Sequence, residues 1–393
     1  MKLLAVPNDA TSAYFRQTKE DFLNEMNPNR IFEEVRFINW KDKQDCEFAG
    51  VKSKSFLQDK SQAQQLMQDL ITGEIVPHNS SYRNLSMDFP LFRDIFLREK
   101  KELKRFLRGF NPDIIRGFNT HFSAELGLIL REITGRPLMV SVHDTTRLSR
   151  IVNEPDILVC ESKELKDICQ REYGVSEDKI AVIHNGIDFN SFYPRPYQEI
   201  NKIIPRQFLN ARYKIFNSGR LSTQKNVEAI LRAMNVVKKQ LPEVKYLHLG
   251  VADKHKEKEL IRLKKKLGLE DTVYFLGTRP KTQLPVFYSW ADVFVFPSRW
   301  EGLSRALRES LACGTPAITS NYGSVTEIVQ DNKNGLLVNP EDTNAFAYKI
   351  LQILKNKNLR ERLSRNARTS VKRYDIDSSM KLYAKEYQKL IEN

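Results

Sequence analysis

Two carboxylates flank the predicted start of a helix in the second half of the chain. The apolar run 293–296 is typical of a strand, a turn follows it, and residues 303–313 are predicted to form a helix. Glu301 falls in the loop before this helix, and Glu309 is predicted to lie about two turns inside it.

The first amides of a helix lack internal partners and carry partial positive charge, so the start of this helix is predicted to bind an anion. The amides concerned are those of Gly302, Leu303 and Ser304. An anion site beside two carboxylates suits a ligand that carries both phosphates and hydroxyls. A nucleotide sugar has both.

A second group of chemically capable residues follows another predicted strand. Gly219 and Arg220 end that strand, and Lys225 stands where a helix over 225–240 is predicted to begin. Arginine offers a forked donor and lysine a compact charge, and both act more strongly in a dry cleft than in water. These cations are suited to a diphosphate leaving group, whose negative charge grows as its bond breaks.

The segment around the two glutamates resembles the signature of family 4 glycosyltransferases. Glu301 and Glu309 are separated by seven residues, and the run 312–316, Ala-Cys-Gly-Thr-Pro, follows them as it does in that family. The resemblance implies that Glu309 accepts hydrogen bonds from ribose hydroxyls and that Glu301 meets hydroxyls of the donor sugar. It also implies that Arg220 and Lys225 bind the diphosphate.

The same resemblance suggests further site residues. His143 ends a predicted strand, and a similar histidine in relatives faces the reacting sugar, although a structural role for this one histidine among six stays open. His121 is a weaker candidate of the same kind. Arg279 falls in the loop where relatives hold the nucleobase, and Ser304 departs from the Gly-Phe-Gly that the family often has.

The resemblance implies a retaining enzyme that uses a nucleoside-diphosphate sugar, most often linked to UDP, as its donor. The predicted catalytic residues are His143, Glu301, Arg220 and Lys225. The acceptor stays open among a saccharide, a lipid-linked glycan and another hydroxyl compound in glycan or polysaccharide synthesis. The alternatives are a sugar-nucleotide epimerase, a phosphorylase of the same fold, or a silent partner in a glycosylation complex.

Strand-like and helix-like segments alternate along the whole chain, which predicts an α/β fold with parallel sheets. The length of 393 residues fits two domains. We expect Rossmann-like domains at 1–195 and 205–372 and a terminal helix at 373–393 that packs back on the first domain. By resemblance this is the GT-B fold, in which two doubly wound domains face each other across a cleft.

The composition predicts a soluble cytoplasmic protein. The four cysteines form no Cys-x-x-Cys pair, which fits a reducing compartment, and no apolar run approaches the roughly 20 residues of a membrane span. Asp375 and Asp377 form an Asp-x-Asp pair that could hold a metal, but at the start of a predicted helix a capping role is favoured. We therefore predict no metal and no cofactor beyond the donor.

The positive charge lies in the second half of the chain. Residues 1–196 carry a net charge of −1, and residues 197–393 carry +15. Solvated helix faces, attraction of an anionic donor and peripheral contact with anionic lipid are all consistent with this pattern. Aromatics are not interleaved with the lysines, which disfavours nucleic acid. Helix 91–108 is also basic and apolar, and it could pack in the core or lie on a membrane.

Overall fold

A computed structural model describes residues 1–6, 31–39, 46–48, 51–55, 100–120, 122–145, 148, 150–251 and 254–392 of the chain. It divides into two compact units, each with its own sheet and apolar core. The first unit consists of Met1–His184 together with Ser379–Asn393, and the second is Asn185–Ser378. His121 and residues 91–99 of the predicted basic helix lie outside the described residues.

The first unit is built on a sheet of eight described strands. They are β1 Lys2–Val6, β2 Glu34–Asn39, β3 Cys46–Phe48, β4 Val51–Ser55, β5 Ile114–Gly117, β6 Leu138–Val142, β7 Ile157–Cys160 and β8 Ile180–Val182. Their order across the sheet is β3-β4-β2-β1-β5-β6-β7-β8, and all neighbours are parallel except β3 and β4. The central strands are buried along their length, as expected for a sheet covered on both faces.

Helices cover both faces of this sheet. Those described are Lys100–Phe106, Phe122–Thr134, Lys163–Tyr173 and the part of the terminal helix Ile376–Glu392 that starts at Ser379. Leu103 and Leu107 are buried in the core against one face, so the described end of the basic helix packs inward. Tyr383 and Tyr387 of the terminal helix pack against Leu3 and Phe37 in the other core cluster.

The second unit has six parallel strands in the order of a Rossmann fold. They are β9 Tyr213–Ser218, β10 Val244–Leu249, β11 Val273–Phe275, β12 Val293–Phe296, β13 Ala317–Ser320 and β14 Gly335–Val338. Their order is β11-β10-β9-β12-β13-β14, so the direction of winding reverses between β9 and β12. Ligands of such sheets bind beyond the carboxyl ends of the strands at this reversal.

The helices of the second unit bury apolar faces in two core clusters on its sheet. They are Tyr197–Ile203, Arg206–Leu209, Val227–Gln240, Lys254–Lys266, Leu284–Trp290, Arg305–Ala312, Val325–Ile328, Thr343–Lys355 and Lys357–Ser370. The α/β class with two doubly wound sheets is confirmed. Several predicted boundaries are wrong by a few residues.

The main difference from the predicted domain limits concerns residues 185–205. They belong to the second unit because Ile187, Phe192 and Ile204 are buried in its core. The predicted first domain ended at residue 195, but the apolar residues spaced along this segment pack in the core of the second unit.

Candidate functional site

A cavity of about 500 Å³ opens at the reversal point of the second unit's sheet. Predicted site residues that line it are Gly219, Lys225, Arg279, Glu301, Ser304 and Glu309. Lining residues that were not predicted include Gly250, Lys281, Tyr288 and Arg305. The structure thus brings together six residues that are spread over 91 positions of sequence. Arg220, Gly302 and Leu303 adjoin these residues in the chain but are not among those lining the cavity.

Lys225 and Glu301 form an ion pair inside the cavity. The Lys225 Nζ lies 2.5 Å from Glu301 Oε1, which also accepts a hydrogen bond from the Ser298 hydroxyl. The side chains of Lys225 and Glu301 are only 17% and 9% exposed. The ammonium also lies 5.0 Å from the centre of the Phe296 ring, a favourable position for a cation.

Further hydrogen bonds fasten together the two loops that carry this pair. The Gln224 side-chain amide donates to the Trp300 carbonyl at 2.8 Å, and the Arg299 amide donates to the Gln224 carbonyl at 2.8 Å. Asn226 then turns the chain with φ +50° and donates to the Pro340 carbonyl at 2.9 Å. The helix therefore begins at Val227, and Lys225 is held in the turn before it.

Ser304 caps the helix that carries Glu309. Its hydroxyl accepts a hydrogen bond from the Leu307 amide at 3.3 Å, so the helix runs from Arg305 to Ala312 rather than over 303–313. Glu309 is consequently the fifth helical residue, about one turn in, not two. The serine that departs from the family pattern is turned to the helix's own amides.

Arg308 braces the loop before this helix. Its guanidinium is buried and donates to the carbonyls of Ser304 at 3.2 Å and Leu303 at 3.1 Å, and it also donates to the Asn185 carbonyl. These bonds fix the path of residues 302–304. The sequence contained no signal for this role, because the partners are backbone carbonyls that any residue could supply.

Glu309 is 5% exposed and belongs to a buried hydrogen-bonded chain. The Tyr288 hydroxyl donates to Glu309 Oε2 at 3.0 Å, and the Ser218 hydroxyl lies 2.8 Å from that of Tyr288. Burial raises the pKa of Glu309, while Arg305, the bond from Tyr288 and Lys281 oppose the shift. Tyr288 was not among the predicted site residues.

His248 contacts the backbone just before Arg220, at the carbonyl of Gly219. Its Nε2 lies 3.0 Å from the Gly219 carbonyl and its Nδ1 lies 3.2 Å from the Tyr246 hydroxyl, so a neutral ring donates to the carbonyl and accepts from the phenol. Burial lowers the pKa of His248 to about 4. Gly250 passes so close that a Cβ there would lie 1.8 Å from the same carbonyl.

Arg279, His143 and Asp375 make contacts of different kinds. Arg279 folds back on its own loop and donates to the carbonyls of Leu276 and Thr278, at 2.9 Å each, at the wall of the cavity. His143 belongs to the first unit, where its Nδ1 contacts Glu161 Oε1. Asp375 accepts hydrogen bonds from the amides of Asp377 and Ser378 at 3.1 and 3.3 Å, which confirms its capping role.

Helix Lys254–Lys266 exposes the cations Lys258, Arg262, Lys265 and Lys266. Lys256 is partly buried and pairs with Glu228 of the neighbouring helix and with Glu259 at 3.1 Å. Within the part of the chain that the structure describes, no helix is both long enough and apolar enough to pass through a membrane.

Two family models match consecutive parts of the chain. Residues 65–191 match the model described as Glycosyltransferase Family 4, and residues 200–370 match Glycosyl transferases group 1.

Several individual proteins resemble the chain in sequence. A mannosylfructose-phosphate synthase from Agrobacterium fabrum is 29% identical over 53% of this chain and 47% of its own length, so the chain spans about half of that relative. An uncharacterized glycosyltransferase from Methanocaldococcus jannaschii is 29% identical over 73% of this chain and 78% of its own. A D-inositol 3-phosphate glycosyltransferase from Thermomonospora curvata is 25% identical over 72% and 77%.

Solved structures resemble the chain over its whole length. A sucrose-phosphate synthase from Thermosynechococcus elongatus superposes with a TM-score of 0.76 at 21% identity, covering 100% of this chain and 99% of that one. The Anabaena protein HepE, solved with UDP and glucose, superposes with a TM-score of 0.75 at 19% identity, covering 99% of each. The chain belongs to the family 4 glycosyltransferases of the GT-B fold, and it is a glycosyltransferase enzyme.

Proposed function

We propose that the enzyme transfers a sugar from a UDP-sugar to a hydroxyl group of a saccharide, lipid-linked or other acceptor, with retention of anomeric configuration. The observation that carries this proposal is the cavity in which Lys225, Glu301 and Glu309 meet beside the start of a helix. Two carboxylates, a cation and the first amides of a helix match the hydroxyls and phosphates of such a donor. HepE, of the same fold, was solved with UDP-glucose.

Glu309 is assigned to the ribose. Tyr288 already occupies its Oε2, which leaves Oε1 to accept from the vicinal ribose hydroxyls. Burial raises the pKa of this carboxyl because its charged form is poorly solvated. Hydroxyl donors from the ribose would favour the ionised form, and their hydrogen bonds would be stronger than those to an exposed carboxylate. Arg305 and Lys281 contribute positive charge around the same group.

The diphosphate is assigned to Lys225, Arg220 and the first amides of helix Arg305–Ala312. As the bond from the anomeric carbon to the phosphate oxygen breaks, the electron pair leaves with UDP, and these groups stabilise the added charge. The acceptor oxygen then attacks the sugar from the face that UDP leaves, and its proton passes to the departing phosphate. Glu301 binds a sugar hydroxyl, and His143 keeps the role at the reacting sugar that the family resemblance implies.

This assignment needs no divalent metal, because the chain's own cations offset the diphosphate charge. EDTA is therefore expected to leave the rate of transfer unchanged.

Donor binding and product analysis test the proposal together. Thermal shift and calorimetry against UDP-, ADP- and GDP-sugars are expected to single out UDP, with about 2.7 kcal/mol of stabilisation at a hundredfold excess over Kd. NMR of the product should show the anomeric configuration of the donor. An altered sugar formed without acceptor would indicate an epimerase, and a requirement for phosphate would indicate a phosphorylase. Binding without turnover on any acceptor would indicate a silent partner.

A further inference from the structure

A buried carboxylate lies against His143 in the first unit. His143 immediately follows β6, and Glu161 immediately follows the neighbouring parallel strand β7, whose last residue pairs with the last residue of β6. The two side chains therefore leave the same edge of the sheet side by side. Nδ1 of His143 contacts Oε1 of Glu161.

The backbone holds Glu161 firmly at this position. Its amide donates to the Val142 carbonyl at 3.2 Å, and its carbonyl lies 2.6 Å from Nδ1 of His184. The next residue, Ser162, caps helix Lys163–Tyr173 by accepting from the Leu165 amide. The Glu161 side chain is 7% exposed, whereas that of His143 is 30% exposed, so the carboxylate lies behind the ring and the ring reaches the surface.

The contact with Glu161 engages Nδ1 of His143 and leaves Nε2 for another partner. A carboxylate accepts only, so Nδ1 must carry a proton, as in sites where a carboxylate orients a histidine. No hydrogen bond joins Nε2 to any of the described residues, so this nitrogen is left for a substrate.

We propose that Glu161 is a positioning residue that keeps His143 as an imidazolium whose Nε2–H donates a hydrogen bond to an oxygen of the sugar donor. The proposal rests on the proposed function, since it presumes that His143 meets the donor. It adds a residue that neither the signature of the chain nor its cavity indicated. No proton leaves the ring in this role; the charged donor stabilises the negative oxygen as UDP departs.

The charges around His143 support this state. Burial lowers its pKa, but the charge and hydrogen bond of Glu161 raise it, Arg116 opposes them and Asp144 adds to them, leaving the pKa above the ordinary 6.5. Arg116 is itself buried, and its guanidinium lies 4.1 Å from the centre of the Phe118 ring. Deprotonation of His143 at higher pH should therefore remove the donor and slow transfer.

Replacement of the carboxylate tests this inference. In Glu161→Gln the pKa of His143 should fall by about one unit or more, and the basic limb of the kcat–pH profile should move down by the same amount. Glu161→Asp, which keeps the charge, should restore part of both shifts. Glu154→Gln, an exposed carboxyl of the same unit, is the matched control and should change neither. UDP affinity should be the same in all four proteins.

Nitrogen-15 NMR of His143 reads the ring directly. In the wild type it should report protons on both ring nitrogens below a pKa that exceeds 6.5, a measurement that needs no variant to fold. A ring that is neutral at the pH of greatest activity, or a basic limb that does not move when the His143 pKa moves, would overturn the inference. Failure of the wild type to bind any nucleotide would instead contradict the proposed function, and the NMR titration would still decide the state of the ring.

Discussion

The ammonium of Lys225 lies 2.5 Å from Oε1 of Glu301, so the cation assigned to the diphosphate and the carboxylate assigned to the sugar form one ion pair. Both side chains are largely buried, which makes the pair less screened than one at the surface. Each group orients the other, and each would be left as an uncompensated charge without its partner. With the roles proposed for Lys225 and Glu301, this contact would couple recognition of the sugar to recognition of the diphosphate.

Replacement of Glu301 and replacement of Lys225 should affect the binding of UDP differently. Glu301→Gln removes negative charge beside the diphosphate, so UDP should bind at least as tightly as to the wild type, while kcat for transfer falls about 10- to 100-fold with the lost sugar contact. Lys225→Ala leaves a bare carboxylate there, and UDP should bind about 10-fold or more weakly.

Calorimetry with UDP and steady-state kinetics measure the two effects. Lys258→Ala, on the exposed face of helix Lys254–Lys266, is the control for lost positive charge and should be nearly silent. An equal loss of UDP affinity in Glu301→Gln and Lys225→Ala would contradict the coupling.

The buried carboxylate of Glu309 should lower the free energy of unfolding at neutral pH, although it favours binding of the donor. Because burial raises its pKa, the folded state holds the proton more tightly than the unfolded chain, and stability contributed by this group falls as pH rises from the ordinary carboxyl value through the raised one. Glu309→Gln should therefore raise the melting temperature at pH 7 and bind UDP about 10-fold or more weakly. The gain in melting temperature should shrink towards pH 4.

Thermal melts from pH 4 to 8 test the predicted change in melting temperature, and calorimetry tests the predicted loss of UDP affinity. Glu257→Gln, an exposed carboxyl of the same unit, should alter neither quantity. A Glu309→Gln protein that melts lower than the wild type at pH 7 would show that the carboxylate is not destabilising.

His248 should make the second unit sensitive to acid. Its pKa is lowered to about 4 in the folded state against 6.5 ordinarily, so below pH 6.5 the unfolded chain binds the proton first. Stability should decline as pH falls from 6.5 to about 4, by about 3 kcal/mol in total. Urea unfolding of His248→Gln should show a shallower decline, and the exposed His255→Gln should follow the wild type. If the free energy of unfolding declined equally with falling pH in all three proteins, His248 would not be the source of the acid sensitivity.

Gly250 should be essential to the loop that presents Arg220. A Cβ at position 250 would lie 1.8 Å from the Gly219 carbonyl, and the residue also has φ +144°. Gly250→Ala should destabilise the protein and weaken UDP binding, because the carbonyl must move. Gly268→Ala is the matched control, with φ +62° and no atom within 4 Å of the added Cβ. It should lower stability modestly and leave UDP affinity unchanged, and equal UDP affinities in both variants would contradict the role of the contact.

Local patterns were sufficient to predict the α/β class and much of the candidate cavity. Glu301, Lys225 and Glu309 each stand beside a strand end or helix start, and the parallel winding brings such ends to one edge of the sheet. Helix limits were harder, because the hydroxyl of Ser304 sets the first turn. An apolar pattern over 303–313 cannot reveal where that cap falls.

The supporting contacts could not be predicted, because their partners lie far apart in the chain. Tyr288 meets Glu309 and His248 meets Gly219 across elements whose separate patterns indicate only a core helix and a buried strand. Glu161 likewise follows a buried strand and belongs to no motif. Its contact with His143 becomes evident only once β7 is seen to pair with β6.

The central claim, a nucleotide-sugar site in which Glu309 holds the ribose, is tested most directly by a calorimetric comparison of UDP with 2′,3′-dideoxy-UDP. Wild-type protein should prefer UDP by about 10-fold or more, as expected for hydrogen bonds to a charged group, and Glu309→Ala should bind both ligands equally weakly. Absence of UDP binding to the wild type, or an undiminished preference in Glu309→Ala, would contradict the account.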